Sequence, residues 1–216
     1  MMCRRQPRER SGLHAQAVTG VILAGGRATR MGGVDKGLID LAGQPMIEHV
    51  IRGLAPQVSH LLINANRSRE RYARYGYPVF SDGVADFAGP LAGIAAALER
   101  APTELVLTVP CDGPWLPDDL LERLWARLLE SRADVCVCHD GKRRQPVFGL
   151  FHRRLLPDIL DYLASGERRL QRWLDLQRAT TADFSGSSEL FTNVNTPEER
   201  ERVNALLLET GPADTP

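Results

Sequence analysis

Short apolar runs alternate along this chain with polar stretches whose apolar positions recur at helical spacing. Val18–Leu23 is nearly continuous in apolar residues and predicts a central strand buried on both faces. Helical spacing follows over Pro45–Leu54, with Pro45 suited to the first turn. Leu61–Asn64 predicts a second strand, Ser68–Tyr75 a charged helix, and Tyr77–Phe80 a short third strand leading into Ser81-Asp82. Gly89-Pro90-Leu91-Ala92-Gly93 opens an alanine-rich helix through Leu98, followed by a fourth strand over Glu104–Val109 and an amphipathic helix over Pro117–Leu129. This regular alternation predicts an α/β fold: a three-layer α/β/α sandwich around a mostly parallel, Rossmann-like sheet.

Beyond Arg132 the rhythm loosens. Asp134–His139 and Gln145–Phe151 read as two strands of a hairpin around Asp140-Gly141. Helices are predicted over Leu155–Leu163 and Arg169–Leu174, a strand over Ala179–Asp183, and a last helix over Pro197–Leu207. No internal repeat or long linker interrupts the pattern. The expected organisation is one domain over 18–207, with a nucleotide half (18–131) and an acceptor half (132–207). A disordered basic tail over 1–17 and a frayed end over 208–216 flank it.

Composition narrows the function classes. The chain has 216 residues, 43% hydrophobic and 25% charged, as expected for one soluble globular domain with a sizeable core. Lys+Arg and Asp+Glu balance at 27 each, so bulk charge argues against nucleic acid as a partner, and attraction for an anion must be local. No apolar run approaches the roughly 20 residues needed to span a bilayer, so no membrane partner is expected. The tail carries Arg4, Arg5, Arg8 and Arg10 without the apolar core of a secretory signal. Four cysteines are too scattered for a disulfide framework, and reduced thiols fit a cytoplasmic location. Alternation puts Cys136 and Cys138 on one strand face beside His139. A structural zinc needs about four placed ligands, which favours the reading of buried small hydrophobes.

The most informative stretch is Val21-Ile22-Leu23-Ala24-Gly25-Gly26-Arg27-Ala28-Thr29-Arg30-Met31-Gly32-Gly33-Val34-Asp35-Lys36. A β-branched run stops at two glycines, whose missing side chains let backbone N–H groups close on an anion. Arg30 and Lys36 then neutralise what those groups cradle. No Gly-Lys-Ser/Thr occurs anywhere, which excludes a P-loop. The glycine spacing also fails the dinucleotide fingerprint. What remains is a polyphosphate cradle at the end of a strand.

Ligands of open α/β sheets bind outside the carboxyl ends of the strands. Gly25 and Gly26 follow the first predicted strand, Asn64 ends the second, Asp82 follows the third and Asp112 the fourth. A nucleoside triphosphate repels an anionic nucleophile, so such sites use Mg²⁺ as a charge sink, held by one or two carboxylates plus substrate oxygens. Asp112, between Pro110 and Pro114, is the candidate metal ligand. Asp82 has two readings: it holds nucleoside hydroxyls, or it meets the metal through water.

These segments resemble the molybdenum cofactor guanylyltransferase family. The resemblance rests on Leu23-Ala24-Gly25-Gly26, Arg30-Met31-Gly32-Gly33-Val34-Asp35-Lys36-Gly37-Leu38, Asn64-Ala65-Asn66-Arg67, Gly89-Pro90-Leu91-Ala92-Gly93, Pro110-Cys111-Asp112 and Asn193-Val194-Asn195-Thr196-Pro197-Glu198-Glu199. It runs in order from about residue 18 to 207, and the Arg-rich N-terminus departs from it. It implies that Leu23, Ala24, Gly25, Lys36, Asn64, Asp82 and Asp112 bind GTP, beside Gly26 of the glycine cradle, that Asp112 also takes Mg²⁺, and that Arg30, Lys36 and Asp112 carry catalysis. The implied reaction is attack by the terminal phosphate of molybdenum-bound molybdopterin on the α-phosphorus of GTP. Molybdopterin-delivery proteins and apo-molybdoenzymes are the implied protein partners of a monomer.

The acceptor half is less legible. Lys142, Arg143, Arg144, Arg168 and Arg169 read either as acceptor ligands or as a solvated charged face. Asn193 and Asn195 alternate on a short extended segment and have two readings: both project toward one acceptor-binding site, or they cap the helix entered at Pro197, a cap that Thr196 suits better. Trp115, Trp125 and Trp173 read as packing residues. Rivals are a cytidylyltransferase for molybdopterin, a sugar or isoprenoid nucleotidyltransferase, and, from another class, a non-catalytic nucleotide-binding module.

Overall fold

A computed structural model describes residues 18–25, 35–82 and 89–210. Its core is a seven-stranded sheet of β1 (Val18–Leu23), β4 (His60–Asn64), β5 (Val79–Phe80), β6 (Leu105–Pro110), β7 (Val135–His139), β8 (Arg144–His152) and β9 (Ala179–Asp183), in the order β5-β4-β1-β6-β8-β7-β9. The strands from β5 to β6 are mutually parallel. β8 runs antiparallel to both β6 and β7, and β9 pairs parallel to β7. The predicted mostly parallel α/β/α sandwich is the observed architecture. The N-terminal tail and the segment 211–216 lie outside the described residues.

Strand alternation builds two cores. Ile22, Ile63, Leu107, Cys136 and Leu150 face one side of the sheet, with Ile47, Val50 and Leu54 of α1 (Met46–Leu54) and Leu120, Leu124 and Leu128 of α4 (Leu120–Ser131). Val21, Val106, Val135, Val137 and Phe151 face the other. They meet α3 (Pro90–Arg100), Ile159 of α5 (Leu156–Ala164) and the fully buried Trp173 of α6 (Leu170–Asp175). Each fully buried aliphatic or aromatic side chain contributes roughly 1.5–3 kcal/mol. Cys136 and Cys138 are fully buried on one face, as their alternation predicts.

Local chemistry shifts several predicted boundaries. α4 begins at Leu120 rather than Pro117 because Pro117-Asp118-Asp119 forms a turn, closed by Leu120 N donating to the Pro117 carbonyl at 3.1 Å. Gln57 caps the helix by accepting from Leu121 N at 3.0 Å. The charged helix shortens to α2 (Arg69–Ala73). The last helix, α7 (Pro197–Thr210), continues through positions read as frayed.

One element was not predicted. β2 (Asp40–Leu41) and β3 (Gln44–Pro45) form a small hairpin across Ala42 and Gly43, both at positive φ (53° and 79°), as a two-residue hairpin turn requires. Leu41 and Met46 join Val194 and Val203 in a third, smaller core. Asn204 of α7 accepts from Ala42 N at 2.5 Å and locks the hairpin to the C-terminal helix.

Candidate active site

The four parallel strands end in one lateral row. Leu23 pairs with Asn64 on one side and Pro110 on the other, and Asn64 pairs with Phe80. Backbone bonds carry the ladder one step further: Ala24 N donates to the Asn64 carbonyl, Ala65 N to Phe80, and Cys111 N to Leu23. Gly25, Asp82 and Asp112 each follow two residues after this row, so register alone brings them to one rim. There they line a cavity of about 450 Å³ together with Leu23, Ala24, Lys36 and Asn64. Gly89, Pro90 and Gly93 bring the N-terminus of α3 to the same rim, where unpaired N–H groups favour an anion.

Lys36 starts a one-turn 3-10 helix, Lys36–Leu38. Its ammonium lies 3.1 Å from Asp112 Oδ2 and donates to Asn195 Oδ1 at 2.5 Å. The Asp112 carbonyl accepts from Val194 N at 2.9 Å. The segment carrying Asn193 and Asn195 is thereby fixed to the strand end carrying Asp112.

Asn64 is 1% exposed, and its Nδ2 finds no hydrogen-bond partner among the described residues. A side chain on either neighbouring glycine would crowd it: a Cβ on Gly25 would stand 3.2 Å from Asn64 Oδ1, and one on Gly93 2.8 Å. The glycines thus let two backbone segments close on a buried amide. An unpaired buried donor costs about 1–3 kcal/mol, which a ligand's acceptor atom offsets. Burial pushes the Cys111 thiol well up, and neighbouring Asp112 and Asp35 push it further, against the opposing effect of Lys36. It is therefore a packing group and not a nucleophile.

The opposite wall comes from a bulge in β8. Val137 pairs with Gly149 and Cys138 with Gln145, which leaves Pro146, Val147 and Phe148 without partners on β7. Thr108 Oγ1 donates to the Val147 carbonyl at 2.7 Å and ties the bulge to β6. Gln145, Pro146, Val147, Phe148 and Asn193 line this side of the cavity. Sequence reasoning did not single out Gln145 or the three bulge residues for the site. The signal was Pro146, because a proline inside a strand marks an edge or a bulge.

The other predicted residues fall elsewhere. Gly26 and Arg30 lie outside the described residues. Arg143 and Arg144 are not part of the cavity lining: Arg144 is committed to an ion pair with Asp175, and Arg143 is 78% exposed, 3.9 Å from Asp140. Arg168 donates to the Leu163 and Glu167 carbonyls. Asn193 has a buried Oδ1 without a partner among the described residues. Thr196 caps α7, accepting from Glu199 N at 3.2 Å, while Glu199 Oε2 accepts from the Asn195 and Thr196 amides.

A doubly wound sheet gathers a glycine-lined rim, a lysine–aspartate pair and the wall of the β8 bulge around one cavity, and the chain is a nucleotidyltransferase enzyme. The chain belongs to the MobA-like NTP transferase domain family, whose model matches residues 20–182. It is 49% identical over 186 residues to the molybdenum cofactor guanylyltransferase of Vibrio cholerae, covering 86% of this chain and 91% of that one. It is 48% identical to the protein of the same name from Photobacterium profundum, covering 89% and 98% respectively. Molybdopterin-guanine dinucleotide biosynthesis protein A of Archaeoglobus fulgidus shares the fold, with a TM-score of 0.74 and 20% identity over 88% of this chain and 99% of that one.

Proposed function

We propose that the protein transfers GMP from GTP to the terminal phosphate of molybdenum-bound molybdopterin, forming the molybdopterin guanine dinucleotide cofactor and releasing pyrophosphate. Relatives bearing the guanylyltransferase name over nearly their whole length support this reading. The observation that carries it is Lys36, held between Asp112 and Asn195 where the nucleotide rim meets the β8 wall.

Leu23, Ala24 and Gly25 present backbone at the rim, and Asn64 offers its buried amide to the nucleotide. Asp82, whose amide donates to Asn66 Oδ1 at 3.2 Å, stands ready for nucleoside hydroxyls. The acceptor brings an ionised phosphate, so the chain need supply no general base. Its residues align the two substrates and neutralise charge on the departing pyrophosphate, chiefly through Lys36, with Arg30 in the same role. Asn193 and Asn195 hold the acceptor side. Asp82 and Asp112 both line the cavity, and Mg²⁺ takes one or two carboxylates together with substrate oxygens and water. Asp112 would hold the ion, which supplies charge neutralisation on the triphosphate.

The test is direct. Purified protein given GTP, Mg²⁺ and molybdate-loaded molybdopterin should release one pyrophosphate per dinucleotide cofactor formed, and CTP, ATP and UTP should be poor substitutes. Preference for CTP, or release of inorganic phosphate, would overturn the reading.

A further inference from the structure

The turn that presents Lys36 rests on a residue to which the reaction assigns no part. Tyr72, on α2, is fully buried, and its hydroxyl donates to Asp35 Oδ1 at 2.5 Å. A buried phenol needs a hydrogen-bond partner, and a carboxylate gives it a short, charge-assisted one. Asp35 is fixed a second time through its backbone, since its carbonyl accepts from Leu38 N at 2.9 Å to close the turn. Gly37 approaches the same hydroxyl: a Cβ there would stand 2.6 Å from Tyr72 Oη and 3.3 Å from its Cε1. Tyr72 therefore touches the residue before Lys36 and the residue after it. Burial, nearby Cys111 and the bond to Asp35 all push the phenol upward, so it stays a donor throughout the physiological range.

The contact has an electrostatic consequence. Asp35 lines the cavity beside Lys36 and Asp112. A free carboxylate there would repel a triphosphate and compete for the Lys36 ammonium. Asp35 Oδ1 is instead engaged by Tyr72, which partly compensates the charge, while the carboxylate paired with the ammonium is that of Asp112. We infer that Tyr72 is a positioning residue for nucleotide binding, acting through Asp35 and Gly37 to aim Lys36 at the triphosphate. The inference rests on the reading of Lys36 as a GTP ligand.

A double-mutant cycle tests it, read as GTP affinity in the presence of Mg²⁺ by calorimetry on the full chain. Tyr72→Phe keeps the ring and removes the donor, and should weaken GTP binding about tenfold, the scale of one hydrogen bond to a charged group. In a Lys36→Ala background the same substitution should change affinity less than twofold, because the residue it acts through is gone. Gly37→Ala should weaken binding by pushing the hydroxyl off Asp35. Adding Tyr72→Phe to it should bring no further loss, since the clashing atom is then absent; this arm decides the matter if Lys36→Ala binds too weakly to measure. Equal losses from Tyr72→Phe in both Lys36 backgrounds, multiplying losses with Gly37→Ala, or unchanged affinity of Tyr72→Phe would each overturn the inference while leaving the proposed function intact. A wild-type chain that binds no GTP would overturn both.

Discussion

Asn195 Oδ1 accepts from Lys36 Nζ at 2.5 Å across 159 residues of sequence. The end of the fold thus completes the cavity rim built at its beginning. Four further hydrogen bonds fix the pairing. Val194 N holds the Asp112 carbonyl, Glu199 Oε2 accepts from the Asn195 and Thr196 amides, and Thr196 Oγ1 accepts from Glu199 N. The last two form a reciprocal capping box, which ties helix α7 to the position of Asn195.

Removing that cap should act on stability and site together. Thr196→Ala is expected to cost about 1 kcal/mol of stability, measured by denaturant unfolding. It should also raise the KM for GTP by loosening Asn195. Asn195→Ala should lower kcat/KM more than Thr196→Ala while perturbing stability less, because it removes the contact to Lys36 and leaves the helix cap in place. Steady-state pyrophosphate release compares the two.

Lys36→Ala and Asp112→Asn should each reduce turnover about a hundredfold or more, the usual loss for one preorganised charge contact, with unchanged circular dichroism. A chelator should arrest wild-type turnover, and excess Mg²⁺ should restore it. Asp112→Asn should need more Mg²⁺ than wild type to reach its own reduced maximum. Equal Mg²⁺ dependence in the two proteins would remove Asp112 as the metal ligand.

Gly93→Ala probes the rim from the helix side. The added methyl would meet Asn64 Oδ1 at 2.8 Å and Leu23 Cδ2 at 3.2 Å. It must displace the amide or the strand end, and both line the cavity. GTP affinity should fall at least tenfold, while the thermal midpoint moves by only a few degrees. Titration with GTP and a melting curve on the same preparation separate these effects.

Much of this was legible in the chain because strand periodicity and strand-end chemistry are local. Ala179–Asp183 is observed with the predicted limits, and the hairpin around Asp140-Gly141 is present. The rim was legible because the parallel strands end in one row, so a polar residue just beyond each run meets its counterparts. What stayed hidden depends on partners far away in sequence. The bulge at Pro146–Phe148 exists only relative to the register of β7, and Arg144 looked available until Asp175 arrived from α6. The hairpin at Ala42–Gly43 places an alanine at positive φ, which costs free energy that the contact with Asn204 helps offset. No local propensity announces such a turn.

Asp140 links acid stability to the cavity wall. Its Oδ1 accepts from the Lys142 and Arg143 amides at 2.8 Å, and its Oδ2 accepts from Gln145 Nε2 at 2.7 Å. Burial raises its pKa, but the two amides, the Gln145 donor and the nearby Arg143 charge together outweigh that and bring it down to about 2. A carboxylate depressed below its unfolded value, roughly 3.9, contributes stability that is fully present above that value. The contribution is lost as pH falls through about 2. Asp140→Asn should therefore flatten the fall of the thermal midpoint between about pH 4 and pH 2, by at most the slope of one proton. At neutral pH the variant should still fold but hold Gln145 less firmly, since an amide replaces one of the two carboxylate acceptors. An acid limb identical to wild type would show that Asp140 is already free in the folded chain, and that Gln145 is oriented by something other than its carboxylate.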